Sequence, residues 1–274
     1  MRKSILIVCI LMLLFPCNTL AQNQLEITFL DVGKADAIVL QSEEKTVLID
    51  TGKNKAGNLI LSYLENHQIT KIDLMIITHF DKDHVGGADR VLYGIDVDQV
   101  FIPDYFSDSN QFVEFMAAVE DTQTPCTKIK ENITFDLGEM VFSIDVANQT
   151  YYGEDEENDF SLVTGVNFQN TNILFAGDAE NPRLKELLQE QIGEFDVLKV
   201  PHHGVKEKKS GDFFRMIHPG IAIITSDAEN PEDSEIVDML KDMDTEVFLT
   251  RLGTVSLISD GNHWTAHQEG TNSD

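Results

Sequence analysis

The fold is decided by residues 72–87, which read IDLMIITHFDKDHVGG. Residues 72–77 form a short, nearly continuous apolar run that predicts a buried strand. The loop that follows carries His79, Asp81, Asp83 and His84 within six residues, and two glycines then let the backbone turn before the next helix. A single histidine is usually structural, but four potential metal ligands in one loop at the end of a strand indicate a metal site.

Two more polar groups follow apolar strands further along the chain. Asp178 comes directly after the run at residues 173–175, and His202 and His203 come after the run at residues 197–200. The carboxyl ends of neighbouring strands converge in an α/β sandwich. We therefore expect these side chains to share one pocket with the loop at residues 79–84.

The remaining pattern predicts an α/β domain. Apolar or alternating runs predict strands at residues 25–30, 37–40, 46–49, 72–77, 100–102, 141–146, 162–166, 173–175, 197–200, 221–225, 247–249 and 254–259. Helical spacing of apolar residues predicts helices at residues 56–66, 110–119, 182–191 and 233–243. A chain of this length suits one α/β domain.

The first residues have the pattern of a cleaved export signal. Arg2 and Lys3 precede an apolar stretch, and small residues end it at Ala21. This pattern predicts a signal peptide at residues 1–21 and a secreted or periplasmic protein. Cys17 could carry a lipid, but Pro16 stands where a small residue would be expected, so plain secretion is favoured. The apolar stretch is shorter than the roughly 20 residues of a membrane-spanning helix, so no stable membrane insertion is expected.

The chain is strongly acidic and poor in cysteine. Its net charge is −27, and loss of Arg2 and Lys3 with the signal would make it −29. Such a surface repels phosphate backbones unless bound cations reverse the local field. The alternative is that the acidic residues serve only to keep the protein soluble. Once Cys9 and Cys17 are removed with the signal, Cys126 remains alone, so no internal disulfide is expected.

Residues 79–84 resemble the H-x-H/D-x-D-H signature of the metallo-β-lactamase superfamily, in the H-x-D-x-D-H form typical of the hydrolase domain of ComEC-type competence proteins. Further landmarks of that family occur in the same order at residues 30–36, 48–52, 159–163, 177–178, 202–204 and 251–253. The resemblance implies a four-layer αββα sandwich over residues 22–274. It extends to the hydrolase module only, and not to the membrane channel of the competence proteins.

Two departures from the family pattern predict a difference in substrate handling. The chain reads Gly-Lys-Ala-Asp at residues 33–36, where the family usually has G-Q-G-D. It reads His-His-Gly-Val at residues 202–205, where the family usually has H-H-G-S.

The resemblance also implies a site for two divalent metal ions. His79 and Asp81 would hold one ion, Asp83 and His84 the other, and Asp178 would bridge them. The set would be completed by His202 or His203, between which the sequence does not decide. We assign His203 to the metal and His202 to the substrate, with Asp83 and Asp178 as catalytic ligands. The oxygen-rich set favours manganese over zinc without excluding zinc.

Four further residues are candidates for supporting roles. Asp36 and Asp50 are expected to hold the free N–H groups of the ligand histidines, with strand-end capping as the alternative. Lys34 and Lys199 are candidates for binding substrate phosphate, with solvated surface charge as the alternative.

Three functions fit these residues. A metal pair can lower the pKa of a bridging water from about 15.7 to near 7, and the resulting hydroxide would make the chain a phosphodiesterase or nuclease acting on a small phosphodiester or a nucleic-acid fragment. The first alternative is hydrolysis of a carboxylic ester, lactone or β-lactam, against which Asp81 counts because those enzymes normally carry histidine there. The second is a non-enzymatic binding protein on the same fold. Oligomeric state is left open.

Overall fold

The computed structural model describes residues 23–153 and 157–270. The predicted signal peptide therefore lies outside the described residues. Among the residues that are described, no helix has both the length and the apolarity needed to cross a bilayer.

Strands and helices alternate along most of the chain. The strands are β1 (Leu25–Phe29), β2 (Ile38–Gln41), β3 (Thr46–Ile49), β4 (Lys71–Ile72), β5 (Leu74–Ile76), β6 (Asp96–Val97), β7 (Val100–Pro103), β8 (Cys126–Ile129), β9 (Ile133–Leu137), β10 (Met140–Asp145), β11 (Val163–Phe168), β12 (Thr171–Phe175), β13 (Val197–Lys199), β14 (Ile221–Ile224), β15 (Glu246–Leu249), β16 (Val255–Ser259) and β17 (Trp264–Gln268). The α-helices are α1 (Ala56–Asn66), α2 (Ala88–Gly94), α3 (Asn110–Thr122), α4 (Asn181–Glu190), α5 (Ser210–Ile217) and α6 (Ser234–Lys241).

These strands form two large sheets. The first has eight strands in the order β17-β16-β1-β2-β3-β5-β7-β8, and the second has seven in the order β15-β14-β13-β12-β11-β10-β9. The short strands β4 and β6 pair separately. The strands predicted at residues 37–40 and 46–49 form a hairpin, because β2 and β3 pair antiparallel with Ile38 opposite Ile49.

Three apolar cores separate four layers. One core lies between the two sheets and includes Phe29 and Phe175. A second lies between the first sheet and helices α1 to α3, and a third between the second sheet and helices α4 to α6. Each sheet thus buries both faces, which explains why its central strands read as nearly continuous apolar runs. The order of layers is αββα, as predicted.

The parallel strands of the two sheets end at the same edge of the sandwich, and the candidate metal ligands follow these strand ends. Strands β3, β5, β7 and β8 run parallel in the first sheet, and β12 to β15 run parallel in the second. The loop at residues 79–84 follows β5, Asp178 follows β12, and His202 and His203 follow β13. All three groups therefore leave the carboxyl ends of their strands.

Several elements were missing from the sequence prediction. They are the edge strands β8, β9 and β17, the short strand β6 and the helix α5, while α2 was expected only as an unnamed helix after the metal loop. An edge strand packs on fewer neighbours, and β9 and β17 contain no fully buried residue. Few apolar side chains are needed there, so the sequence signal is weak.

The two glycines after the metal loop have a different role from the one expected. Neither has a positive φ, so they do not serve a left-handed turn. Instead, a Cβ on Gly86 would lie 2.2 Å from the Lys82 carbonyl oxygen, and one on Gly87 would lie 2.4 Å from that of Thr51. The absence of a side chain lets the loop pack against its neighbouring backbone.

Candidate metal centre

Three strand ends bring imidazole and carboxylate groups together around Asp178. The Nε2 atoms of His84 and His203 each lie 3.2 Å from Asp178 Oδ2, and they lie 3.3 Å from one another. His79 joins them, because its ligand atom lies within 4.8 Å of those of His84 and Asp178. All four side chains are almost completely buried.

The ring orientation of His79 is set by a chain of hydrogen bonds. The hydroxyl of Thr78 donates to Asp50 Oδ2 at 2.7 Å, so its hydrogen is already used. That hydroxyl lies 3.0 Å from His79 Nδ1 and must accept the ring N–H. His79 therefore presents the lone pair of Nε2 to the cluster.

The same logic applies to the other two histidines. Asp50 Oδ2 accepts from Nδ1 of His84 at 2.8 Å. Nδ1 of His203 lies 2.9 Å from the hydroxyl of Thr225, which itself donates to Asp36 Oδ1 at 2.6 Å. The Nδ1–H of His203 thus donates to Thr225. Each Nδ1 is held from behind, which is the arrangement that orients histidines as metal ligands.

The cluster fits a divalent cation. His79 Nε2 is fully buried and has no hydrogen-bond partner, a costly state for a polar atom unless something else occupies that position. The surrounding donors are imidazole nitrogens and carboxylate oxygens, which suit zinc, manganese and related ions. His79, His84, His203 and Asp178 are the residues that would hold such a group, with Asp81 and Asp83 at the rim.

The charge state of the buried groups agrees with this. Burial lowers the pKa of His84, but Asp178 and Asp50 outweigh it and hold that pKa well above its ordinary value. Burial raises the pKa of Asp178, but His203, His84 and Lys199 hold it well below its usual range. Burial, together with His84, lowers the pKa of His79. The carboxylates of Asp50 and Asp178 thus stabilise a positive charge at the place where the Nε2 atoms of the histidines lie close together.

Asp81 and Asp83 lie at the solvent side of the cluster. Asp81 Oδ2 is 3.9 Å from His79 Nε2, and Asp83 Oδ2 is 3.9 Å from His203 Nε2. Burial raises the pKa of Asp81 to about 6, and the neighbouring carboxylates of Asp83, Glu157 and Asp178 add to the rise against the opposing effect of His84. The structure therefore pairs Asp81 with His79, and Asp83 with His203.

Lys199 is placed differently from the sequence expectation. We expected a residue that meets substrate phosphate, but its side chain is completely buried. Its ammonium lies 2.5 Å from Asp36 Oδ2 and 3.4 Å from Asp178 Oδ1, and it donates to the carbonyl oxygen of Gly177 at 3.0 Å. An ammonium enclosed by two carboxylates is not free to bind substrate. The prediction that Lys199 binds phosphate is therefore wrong, and its side chain instead neutralises the buried charge of Asp36 and Asp178.

The structure separates the two adjacent histidines. His203 faces the cluster, whereas Nδ1 of His202 lies 3.3 Å from Glu180 Oε1 at the rim, where the side chain is 21% exposed. Both have a positive φ, a conformation that is uncommon outside glycine and that turns consecutive side chains in different directions. Lys34 is half-buried, and its charge lies close enough to lower the pKa of His202, after the larger effect of burial.

Three hydroxyl residues of the site were not recognised as such from the sequence. Thr78 and Thr225 support His79 and His203 as described above. Ser161 accepts the N–H of Asp178 at 3.0 Å and lies 3.4 Å from His79 Nδ1. Thr78 directly precedes His79, and Thr225 directly follows β14. A hydroxyl residue at the end of a strand is therefore the sequence feature that could have identified these supporting residues.

Asp50→Asn is expected to weaken metal binding by about 10- to 100-fold, the usual cost of losing a group that orients a ligand histidine. Asp50 holds His84 directly and His79 through Thr78. Asparagine tolerates the positive φ of 57° at this position, so the backbone should be kept. Competition with a chromophoric chelator measures the change, and an unaltered affinity would contradict the role given to Asp50.

Cys126→Ser is expected to leave metal content and activity unchanged. Cys126 begins β8 and is the free cysteine of the described part of the chain. Burial raises the pKa of its thiol to about 11, so the thiol stays neutral below that pH and is a poor ligand and nucleophile. Atomic absorption of the purified variant is the check, and loss of metal would place a thiolate in the site.

Comparison with known proteins agrees with this geometry. A profile of the Metallo-beta-lactamase superfamily, whose members are generally metal-dependent hydrolases, matches residues 30–225. Recombination protein 2 of Haemophilus influenzae is 27% identical over 233 residues, which cover 83% of this chain and 27% of that protein. ComE operon protein 3 of Bacillus subtilis is 25% identical over 246 residues, which cover 81% of this chain and 30% of that protein. The chain thus spans less than a third of the length of these relatives.

Solved structures show the same fold. The metallo-beta-lactamase fold protein YhfI from Bacillus subtilis superposes with a TM-score of 0.60 at 11% identity, covering 89% of this chain and 100% of that one. CmlA, a diiron beta-hydroxylase from Streptomyces venezuelae, gives 0.57 at 12% identity, covering 90% of this chain and 54% of that one. CmlA is a hydroxylase and not a hydrolase, so the fold alone does not decide the reaction. From its sequence match and its architecture together, the chain belongs to the Metallo-beta-lactamase superfamily.

Proposed function

We propose that the protein is an exported, metal-dependent phosphodiesterase or nuclease. The observation that carries this proposal is the meeting of His79, His84 and His203 around Asp178, with each ring held from behind at Nδ1. Two bound divalent cations would polarise a phosphoryl oxygen and lower the pKa of a coordinated water. The work of the chain itself is to hold these ligands rigidly and to keep their lone pairs directed inward.

Each protein group has a defined task in this proposal. Lys199 binds one carboxylate oxygen of Asp178 and leaves the other facing the histidines. Asp81 and Asp83 complete the ligand set from the rim. His202 lies at the rim with Glu180 at its Nδ1, so its other ring nitrogen is left to exchange a proton with the leaving oxygen of the substrate.

Two features support a phosphodiester over an acyl substrate. Asp81 stands where zinc β-lactamases carry histidine, so the site is richer in oxygen ligands. The relative Recombination protein 2 is named for recombination, a process that acts on nucleic acid. The net charge of −27 slows the approach of long DNA at low salt, so a small phosphodiester or a short fragment fits the surface as well as polymeric DNA.

Manganese is the metal we favour. The carboxylates of Asp81, Asp83 and Asp178 are hard oxygen ligands, and no thiolate lies among the described residues of the cluster. This composition suits manganese more than a site built from histidine and cysteine would, although zinc also binds such ligands.

Export is part of the same proposal and has its own test. If residues 1–21 are a signal peptide, protein recovered from outside the cytoplasm will begin at Gln22. N-terminal sequencing answers this, and an intact Met1 on the exported protein would contradict cleavage.

A substrate panel tests the reaction. The metal-depleted protein is supplied with manganese or zinc and assayed on bis-p-nitrophenyl phosphate, single-stranded DNA and nitrocefin. We expect hydrolysis of the first two, with the higher rate in manganese. Turnover of nitrocefin alone would reverse the ranking in favour of acyl transfer, and no turnover of any substrate would support a binding protein.

A further inference from the structure

An aromatic cavity of about 560 Å³ adjoins the metal centre. Its aromatic residues are Tyr105, Phe106, Tyr151 and Phe160, and we call it the aromatic cavity. The lining comes from segments that follow β7, β8 and β10, at the edge of the sheets from which the metal loop also leaves. The volume is within the usual range for small-molecule sites.

The cavity and the metal centre share a wall. The backbone N–H of Phe80, which lies between His79 and Asp81, donates to the hydroxyl of Tyr105 at 2.7 Å. Leu162, which also lines the cavity, donates its N–H to the carbonyl oxygen of Thr78 at 3.0 Å. Residues that line the cavity are therefore hydrogen-bonded directly to the metal loop, and a substrate that spans this wall would reach both places.

The cavity combines one stacked pair of rings with two exposed aromatic side chains. The rings of Tyr105 and Phe160 are stacked, with centroids 4.6 Å apart and an interplanar angle of 24°. Phe106 and Tyr151 are 77% and 66% exposed, so a ligand in the cavity can reach both side chains. Aromatic rings that present their faces to solvent commonly stack on nucleobases.

The charge of the cavity decides which part of a substrate it suits. Asp104 and Glu157 contribute carboxylates, and Lys130 contributes one cation, which lies 3.7 Å from Asp104. Glu157 also accepts from the hydroxyls of Tyr105 and Ser107. A phosphate is disfavoured beside these carboxylates, whereas the amino groups of a base can donate to them.

We propose that the aromatic cavity binds the nucleobase next to the scissile phosphate. This inference rests on the proposed phosphodiesterase function and narrows its substrate to nucleotide derivatives or single-stranded nucleic acid. The phosphate would occupy the metal centre, and the base would lie in the cavity against the exposed side chains of Phe106 and Tyr151.

The test compares two ligands that differ only by a base. Adenosine 5′-monophosphate and ribose 5-phosphate are titrated into the manganese-loaded protein by isothermal calorimetry. We expect the nucleotide to bind roughly 5- to 100-fold more tightly, the range typical of base stacking on aromatic side chains. The double variant Phe106→Ala/Tyr151→Ala should bring this ratio close to 1.

Tyr93→Ala is the matched control. Tyr93 is also an exposed aromatic residue, at 56%, but it does not line the aromatic cavity. Its replacement should leave the affinity ratio unchanged. Equal affinities in the parent protein, or a ratio that survives the double variant, would overturn the inference.

The two proposals can fail separately. Hydrolysis of bis-p-nitrophenyl phosphate without preference for the nucleotide would refute the cavity assignment and leave the phosphodiesterase standing. Preferential binding of the nucleotide by a protein that hydrolyses no phosphodiester would refute the proposed reaction and support a base-binding cavity.

Discussion

Asp83→Ala is expected to reduce phosphodiester hydrolysis to the background rate while the protein remains folded. Asp83 lies in the metal loop, its side chain is 22% exposed, and its carboxylate is 3.9 Å from His203 Nε2. Removing it deletes a rim ligand without opening a cavity in a core. Asp178 would be a less clear target, because it is buried against Lys199 and two histidines, and its loss would disturb folding as well as metal binding.

The measurement is the rate on bis-p-nitrophenyl phosphate together with bound metal per chain and the circular dichroism spectrum. Lys82→Ala is the control, since Lys82 lies in the same loop and points to solvent. We expect it to retain activity and metal. Parent-like turnover by Asp83→Ala would remove Asp83 from the reaction.

Lys199→Met is expected to lower the free energy of unfolding of the metal-free protein by roughly 3–5 kcal/mol, the usual effect of removing one partner from a buried charge cluster. The ammonium of Lys199 is completely buried between Asp36 and Asp178. Methionine has a similar length and fills the space, so the loss is one of charge. Asp36 and Asp178 would then lie beside each other without that cation.

Lys71→Met provides the comparison at the surface. Lys71 also contacts two carboxylates, those of Asp73 and Asp98, but its side chain is 44% exposed. Solvent screens such pairs, so we expect a much smaller change in the free energy of unfolding than for Lys199→Met. Urea denaturation of both variants measures the difference. Equal losses of unfolding free energy in the two variants would show that burial does not determine how much Lys199 stabilises the protein.

The sequence predicted those site residues that lie directly after a strand. Four potential ligands lie so close together in the sequence that they predict a metal-binding loop without any other information: His79, Asp81, Asp83 and His84. The later groups at Asp178 and His203 could be joined to it only by assuming that parallel strands end at one edge. That assumption succeeded because both sheets contain a parallel portion and face each other across one core.

The supporting residues were harder to predict, because hydrogen bonds across the sandwich have no local signature. Thr225 lies 189 positions from Asp36, yet its hydroxyl links Asp36 to His203. Asp36 itself was expected to hold a histidine directly, and it does so through Thr225 while pairing with Lys199. Asp50 was expected to hold a ligand ring, and it contacts His84 at 2.8 Å.

By itself, the sequence determined the α/β class and the identity of the metal loop, since apolar periodicity and ligand spacing are local properties of the chain, while the αββα order of layers followed from the family resemblance. Only the tertiary structure decided which of His202 and His203 enters the cluster, and that Lys199 is a buried counter-charge. The reason is physical: the direction of a side chain after a strand depends on a few backbone angles, and the burial of a charge depends on neighbours that are distant in sequence.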